Sequence, residues 1–468
     1  MIPKYPKLVR DKIPEIINTK NKKSQVKVLN INEYKKALKQ KLVEESQEVL
    51  TAQESDLMEE IADVYEVIEA LIFSHNLDKN KIAEIRENKA NLKGKFKERL
   101  LLIAVENLEE NNSIPDSETL ILNSAEDFLK TEILPQAHLL DRNPDILKEK
   151  LNLMNRVNPD FLRLKLGKNL GGLGMSNKGF YSWQIMIAKY SGALSFLQTQ
   201  HQSAMVMLAQ SSAEIQHKYL SKILEENLFC GVGFSHLRRQ GKPCLRAIPV
   251  KGGYELTGFV PWITGYGIFD YFIIGATMID RTELYGILPF SPQQNLQFSS
   301  VMKLCAMNST NTVTATLNQW FLSEEDVIMI KPANAIHEKD KKNVLHNGFF
   351  ALGCAQGALE ILRENCQKLQ LTQVNDTYNQ LKQEIEDLQV NMLTMVDNPD
   401  ADFREKLSLR GKAINLAFRS SMAGIISSKG QANQDDNSAN RYYREALVYS
   451  VSGQTIPVLQ ESLFLLGG

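Results

Sequence analysis

The residues in this chain best suited to chemistry are two carboxylate pairs near its start, Glu45-x-x-Glu48 and Glu60-x-x-Asp63. A helix turns about 100° per residue, so spacing reads as direction. Across Tyr34 to Ala52 the apolar stripe runs through Leu38, Leu42 and Val49, with Glu45 inside it and Glu48 on its edge. In the next segment the stripe is Leu57, Ile61, Val64, Ile68 and Leu71. Glu60 borders that stripe, Asp63 lies further round on the same side, and Glu59 and Glu66 point toward solvent. A carboxylate aimed at a core is costly unless something pairs with it. A divalent cation is the simplest reason for four to converge from facing helices. The competing reading is a bundle with acidic surface faces, and the inward Glu45 counts against it.

Helices must position these acids, and the chain supplies them in a distinct first stretch. Residues 1 to about 104 are rich in Lys and Glu and read as helices with short connections. The acidic, proline-bearing run Glu106 to Ser117 reads as a linker. Helical periodicity returns from 118 to about 225, broken at Leu170-Gly-Gly-Leu-Gly-Met. Short runs such as Leu228–Phe234, Tyr254–Val260 and Tyr271–Ala276, set between Gly, Pro and Asn turns, read as strands. Helices resume from about Lys341, with Gly430–Asn440 a polar loop between late ones.

Composition bounds the rest. At 468 residues two or three domains are expected, and 43% apolar residues suffice for a large core. A net charge of −1 argues against global attraction to nucleic acid or to an anionic membrane. The five cysteines are scattered and show no C-x-x-C spacing, which suggests neither a disulfide framework nor a zinc site. With no apolar signal core and no run of membrane-spanning length, a cytoplasmic protein is the expectation.

The opening Lys7-Leu-Val-Arg-Asp-Lys-Ile-Pro-Glu-Ile-Ile, the two acid pairs and the closing Lys89-Ala-Asn-Leu-Lys-Gly-Lys-Phe together resemble the MazG-like, all-α nucleoside triphosphate pyrophosphohydrolases. That resemblance implies release of pyrophosphate from a nucleoside triphosphate with Mg2+, an ion that prefers oxygen ligands. It implies Glu45, Glu48, Glu60 and Asp63 as catalytic metal ligands, and phosphate contacts from Arg10, Lys12 and Lys89. Self-association is implied as well.

The larger part resembles the acyl-CoA dehydrogenases. The resemblance rests on Leu166–Met175, on Ala204-Met-Val-Met-Leu to Gln216-His-Lys-Tyr-Leu, on Asn227–Ser235, and on Gly258-Phe-Val-Pro-Trp262-Ile-Thr264-Gly followed by Asp270. Arg441-Tyr-Tyr-Arg-Glu-Ala and Ser452-Gly-Gln-Thr complete it. It implies FAD, with Phe234, Ser235, Trp262 and Thr264 beside the ring and Gln454 and Thr455 near its phosphates. It implies a multidomain, mainly α chain: a MazG-like domain (1–104), a linker (105–117), a helical domain (118–226), a central β-barrel or sheet domain (227–335) and a C-terminal four-helix bundle (336–468). The expected partners are a nucleoside triphosphate, an acyl-CoA or related molecule, and further copies in a homodimer or homotetramer.

The departures bear on the reaction. The family removes a proton beside a thioester carbonyl, which needs a positioned base, usually glutamate. This chain has Gly453 at the usual place and Asn343 at a second one. The Glu-Pro-Gly-Ala-Gly-Ser loop is replaced by His236-Leu-Arg-Arg-Gln-Gly, and the arginine–Phe-Gly motif by Gln367-Lys-Leu-Gln-Leu-Thr-Gln. His236 offers a substitute base or is an ordinary hydrogen-bonding residue. Arg238-Arg239 offers a phosphate contact or is a solvated loop. The expected function is a fused pyrophosphohydrolase and dehydrogenase-like flavoprotein. The alternatives for the flavin part are flavin-dependent oxygenation and a ligand-binding scaffold.

Overall fold

The computed structural model of the chain describes residues 7–19, 22–95, 97, 116–398 and 401–467. The expected linker lies outside these as far as residue 115, as does Phe96 of the Lys89–Phe96 stretch. The chain divides into two compact units, Met1–Glu109 and Glu110–Gly468.

The first unit holds α1 (Ile13–Thr19), α2 (Ile31–Thr51), α3 (Leu57–Ser74) and α4 (Lys79–Lys93). Asn30 starts α2 with a capping box: its side chain accepts from Asn32 and Glu33 backbone N–H groups, and the Glu33 carboxylate accepts from the Asn30 N–H. Asp78 caps α4 in a similar way. The packing of α3 departs from the sequence reading. Val67 is buried and Glu60, Asp63 and Val64 are half-buried, whereas the predicted stripe residues Leu57, Ile61 and Ile68 are exposed. Glu60 and Asp63 thus face inward as expected, beside Val64 and Leu71 of the stripe, while the rest of the stripe is left outside. The predicted edge residue Glu48 is exposed, and among buried residues α2 offers only Leu38 and Glu45.

The second unit opens with α5 (Asp116–Phe128), α6 (Ala137–Leu140), α7 (Pro144–Val157), α8 (Asn177–Tyr190), α9 (Gly192–Ala209), α10 (Ala213–Ile215) and α11 (Lys222–Glu226). A sheet of eight strands follows: β1 (Cys230–Gly233), β2 (Leu245–Val250), β3 (Gly253–Ile263), β4 (Tyr271–Thr277), β5 (Glu283–Pro289), β6 (Leu296–Phe298), β7 (Val313–Ser323) and β8 (Val327–Lys331). The strand order is β6-β7-β3-β2-β4-β5-β8, with β1 parallel to β4. Asp270 fixes the start of that pair by accepting from the Phe229 N–H at 2.9 Å. The chain ends in α12 (Ala335–Lys342), α13 (His346–Leu369), α14 (Thr372–Val396), α15 (Phe403–Ser428), α16 (Ser438–Val451) and α17 (Ile456–Gly467).

Helix α13 is central. Its buried run Gly348 to Leu359 is apolar almost all round, as a helix surrounded by others must be. Glycines let α8 approach it closely: a Cβ on Gly353 would meet the Ile185 carbonyl at 2.1 Å, and one on Gly357 the Lys189 carbonyl at 2.5 Å. Helix α16 locks the parts together. The buried pair Arg441–Glu445 (2.7 Å) also takes the Gly192 N–H at the start of α9, at 3.1 Å. Arg444 binds Asp141 at 2.6 Å and the Cys305 carbonyl at 2.7 Å. The motif Arg441-Tyr-Tyr-Arg-Glu therefore joins helices to the sheet layer.

Candidate functional site

In the first unit, Glu45, Glu60 and Asp63 each present an oxygen within 4.8 Å of the others. Glu45 is only 4% exposed. Its Oε1 receives Lys41 Nζ at 2.7 Å, one helical turn away, while its Oε2 is buried with no partner. Lys41 also reaches Glu44 at 2.9 Å. Glu48 adds a fourth acid at the rim; its carboxyl is pushed up by the adjacent Glu45, then by partial burial, with Glu60 acting in the same direction. Arg10 pairs with Asp63, while Lys12 and Lys89 are exposed. An unpartnered buried carboxylate oxygen among converging acids fits an oxygen-loving divalent cation.

In the second unit, the β3–β7 ladder shifts register between Val260 and Ile263. Pro261 lacks the N–H a ladder needs, and the resulting bulge re-aims its neighbour. Val260 and Ile263 stay buried while the Trp262 indole is turned outward, leaving the residue 48% exposed. Thr264 is buried, with its hydroxyl 3.2 Å from that of Thr312. Phe234 is buried edge-on against Tyr285, and Ser235 is exposed. Gln454 and Thr455 are half-buried in the turn between α16 and α17, and Gln454 Oε1 is buried without a partner.

The sequence-level substitute groups are otherwise engaged. His236 donates Nε2–H to the Gly275 carbonyl at 2.8 Å, and burial lowers its pKa to about 4. It is a neutral core histidine, poorly matched to proton abstraction near neutrality. Arg238 is taken up by Asp340 in a two-pronged pair at 2.7 and 2.9 Å, and Arg239 is exposed. Asn343 ends α12 and lines a cleft of about 100 Å³ with Asn177, Tyr181, Lys342, His346 and Lys406.

Beside that cleft lies the Gly453 turn. Gly453 has φ +57°, a conformation glycine adopts without penalty. Asn347 donates to the Ser452 carbonyl at 3.0 Å. Arg410, 4% exposed, donates to the carbonyls of Val344 (3.1 Å), Ser452 (2.9 Å) and Gly453 (3.1 Å). Its Nε is buried without a partner, and among the described residues it forms no ion pair. Burial brings its pKa down to about 10. The sequence reading missed Arg410, Asn347 and Lys41. Two of these left a signal: Lys41 precedes Glu45 by four residues, the spacing of a helical ion pair, and Arg410 falls in phase with buried Leu407, Ile414 and Ala417.

Among the described residues, no helix is long and apolar enough to cross a membrane. No curated protein matches the chain. The family model described as the acyl-CoA dehydrogenase N-terminal domain matches residues 115–227. Among solved structures, glutaryl-coenzyme A dehydrogenase in its glutaryl-CoA complex matches with TM-score 0.65 and 17% identity, over 76% of this chain and 96% of that one. Butyryl-CoA dehydrogenase from Megasphaera elsdenii matches with TM-score 0.62 and 15% identity, over 76% and 99%. PigA with FAD and proline matches with TM-score 0.63 and 17% identity, over 77% and 99%. The helices, sheet and closing helices of the second unit thus have the acyl-CoA dehydrogenase fold, with the match to that family's N-terminal domain at their start.

Proposed function

We propose that the second unit is an FAD-dependent oxidoreductase. The observation that carries this reading is Trp262, turned out of the sheet by the Pro261 bulge in a fold shared with FAD-bound PigA. Phe234, Ser235, Trp262 and Thr264 would hold the ring, and Gln454 and Thr455 would lie toward the phosphates. The bound flavin would supply the two-electron chemistry. The chain's own contribution is an apolar wall, hydroxyl and amide groups for orientation, and a cleft walled by α8, α13 and α15 for the substrate. Gly453 and Asn343 put no carboxylate at the two places where a dehydrogenase of this fold would carry one, and His236 is a neutral core residue. The isolated protein should show a visible flavin spectrum, and a colourless protein that takes up no added FAD overturns the reading. Bleaching by an acyl-CoA alone supports dehydrogenation. Bleaching only by reduced nicotinamide or a reductase supports oxygenation.

A second reading concerns the first unit and rests on the unpartnered Glu45 Oε2 beside Glu60 and Asp63. We infer a magnesium-dependent, MazG-like nucleoside triphosphate pyrophosphohydrolase. Glu45, Glu48, Glu60 and Asp63 would hold the ion; Arg10, Lys12 and Lys89 would meet the phosphates. A bound Mg2+ would neutralise phosphate charge and activate water. The exposed stripe Leu57, Ile61 and Ile68 supports self-association into a homodimer or homotetramer. The five unpaired cysteines support a cytoplasmic setting. Magnesium-dependent release of pyrophosphate from nucleoside triphosphates is the assay; no release from any of the common nucleotides refutes it.

A further inference from the structure

The feature hardest to explain by folding alone is the charge of Arg410. Its hydrogen bonds go to three neutral carbonyls, those of Val344, Ser452 and Gly453. They satisfy N–H groups but bring no counter-charge. A buried ion without one is strongly disfavoured. Asp340, the acid whose charge acts on Arg410, is already committed to Arg238. No carboxylate stands at Gly453, although that residue touches the guanidinium.

The neighbouring cleft has the same sign. One turn before Arg410 on α15, Lys406 lines it, and Lys342 lines the other side. His346 is neutral: burial lowers its pKa to about 4, with Lys339 and Arg410 acting in the same direction. Among the described residues, no acid lines it. One acid borders the wall: Asp397, next to Val396, accepts from the Asn177 amide at 2.7 Å, and its charge acts on Tyr181 and is opposed by Lys165. Tyr181, Asn177 and Asn343 supply neutral polar groups. The space of about 100 Å³ suits a small molecule or the end of a larger one.

We infer that the cleft takes a substrate bearing a carboxylate, and that Arg410 is the specificity-determining residue that favours the anion over its neutral analogue. Lys342, Lys406 and Asn343 contact the substrate from the walls, and Arg410 acts from behind them through its charge. What becomes of the substrate rests on the flavoprotein reading; the binding preference does not.

The test is titration calorimetry and thermal unfolding of the full chain with acetate, propionate and benzoate, each against its amide at matched ionic strength. Each acid that binds should bind more tightly than its amide and raise the unfolding temperature. Arg410→Met should weaken the acid about fivefold or more, as loss of a nearby charge in a low-dielectric setting implies, and leave the amide unmoved. Arg410→Lys should restore most of the difference. If Arg410→Met does not fold, Lys406→Met should shift the same ratio. Equal binding of acids and amides, or an acid preference untouched by these variants, overturns the inference. Absence of flavin from the protein would overturn only the redox reading, because the titration does not depend on it.

Discussion

Arg410 Nη2 donates to the Gly453 carbonyl at 3.1 Å, and a Cβ added at Gly453 would sit 2.1 Å from the Asn347 amide nitrogen. The turn is thus shaped around a cation and an amide, in the place where an acid base is otherwise expected. Gly453→Glu should therefore destabilise the protein twice over, through the positive φ and through the clash. We expect a loss of roughly 1–3 kcal/mol, the usual cost of a strained backbone position. Combined with Asn347→Ala, the same change should recover part of that loss, because the new carboxylate gains room and Arg410 as a partner. A denaturant double-mutant cycle measures this. Additivity within about 0.5 kcal/mol would reject the coupling.

Trp262 separates a ligand-facing residue from a core one. Being 48% exposed, it contributes little to the apolar interior. Trp262→Ala should change unfolding free energy by only about 0.5 kcal/mol, as at other surface sites. Flavin retention should fall sharply, read from the ratio of flavin to protein absorbance after gel filtration. Full retention would remove the indole from the flavin site.

Much of this architecture was legible in the residues. The run Tyr254–Val260 reads as a strand and lies in β3, although the bulge beyond it was not read, and the inward phase of Glu45 follows from helical geometry alone. The exposure of much of the α3 stripe was not legible. Periodicity placed Glu60 and Asp63 inward correctly, but it also assigned Leu57, Ile61 and Ile68 to the core, and the small first unit leaves these outside. A single-chain pattern does not say whether a stripe meets its own core or another surface. Arg410 escaped because its partners are backbone carbonyls brought together from the α12–α13 connection and the α16–α17 turn. Its phase with Leu407, Ile414 and Ala417 marks it as inward, but no side-chain spacing names its partners. The role suggested by His236 likewise depended on surroundings that only the fold supplies.

Three histidines held neutral by burial, His201, His236 and His346, give the fold an acid-sensitive component. His201 accepts the Cys230 N–H at 3.2 Å through Nδ1, and His236 is bonded to Gly275. Burial lowers each pKa from 6.5 to about 4. The unfolded chain then binds protons that the folded chain refuses, so stability is full above the unfolded pKa and falls as pH drops toward the folded one. Each histidine should remove roughly 1.4 kcal/mol per pH unit across that window. Urea unfolding near neutrality and at about pH 5 should show the loss, and His201→Gln should reduce the slope by about one proton if it folds. An unchanged slope in that variant would mean that His201 is protonated in the folded protein.

Glu45→Gln tests the acid cluster most directly. The substitution keeps the shape of a side chain only 4% exposed while removing its charge. Lys41 keeps a partner in Glu44 at 2.9 Å, so the helix pair should survive, with unchanged helical circular dichroism. Two ligand oxygens change character: one becomes a neutral carbonyl and the other an amide donor, which repels a cation. Pyrophosphate release should fall on the order of a hundredfold, as removal of one well-placed electrostatic group usually causes. Magnesium should also lose its power to raise the unfolding temperature, a readout independent of turnover. Glu59→Gln is the matched control, since Glu59 lies one residue from Glu60 on α3 but is exposed. Equal loss in both variants would indicate a general charge effect, and retained release in Glu45→Gln would remove Glu45 from the ligand set.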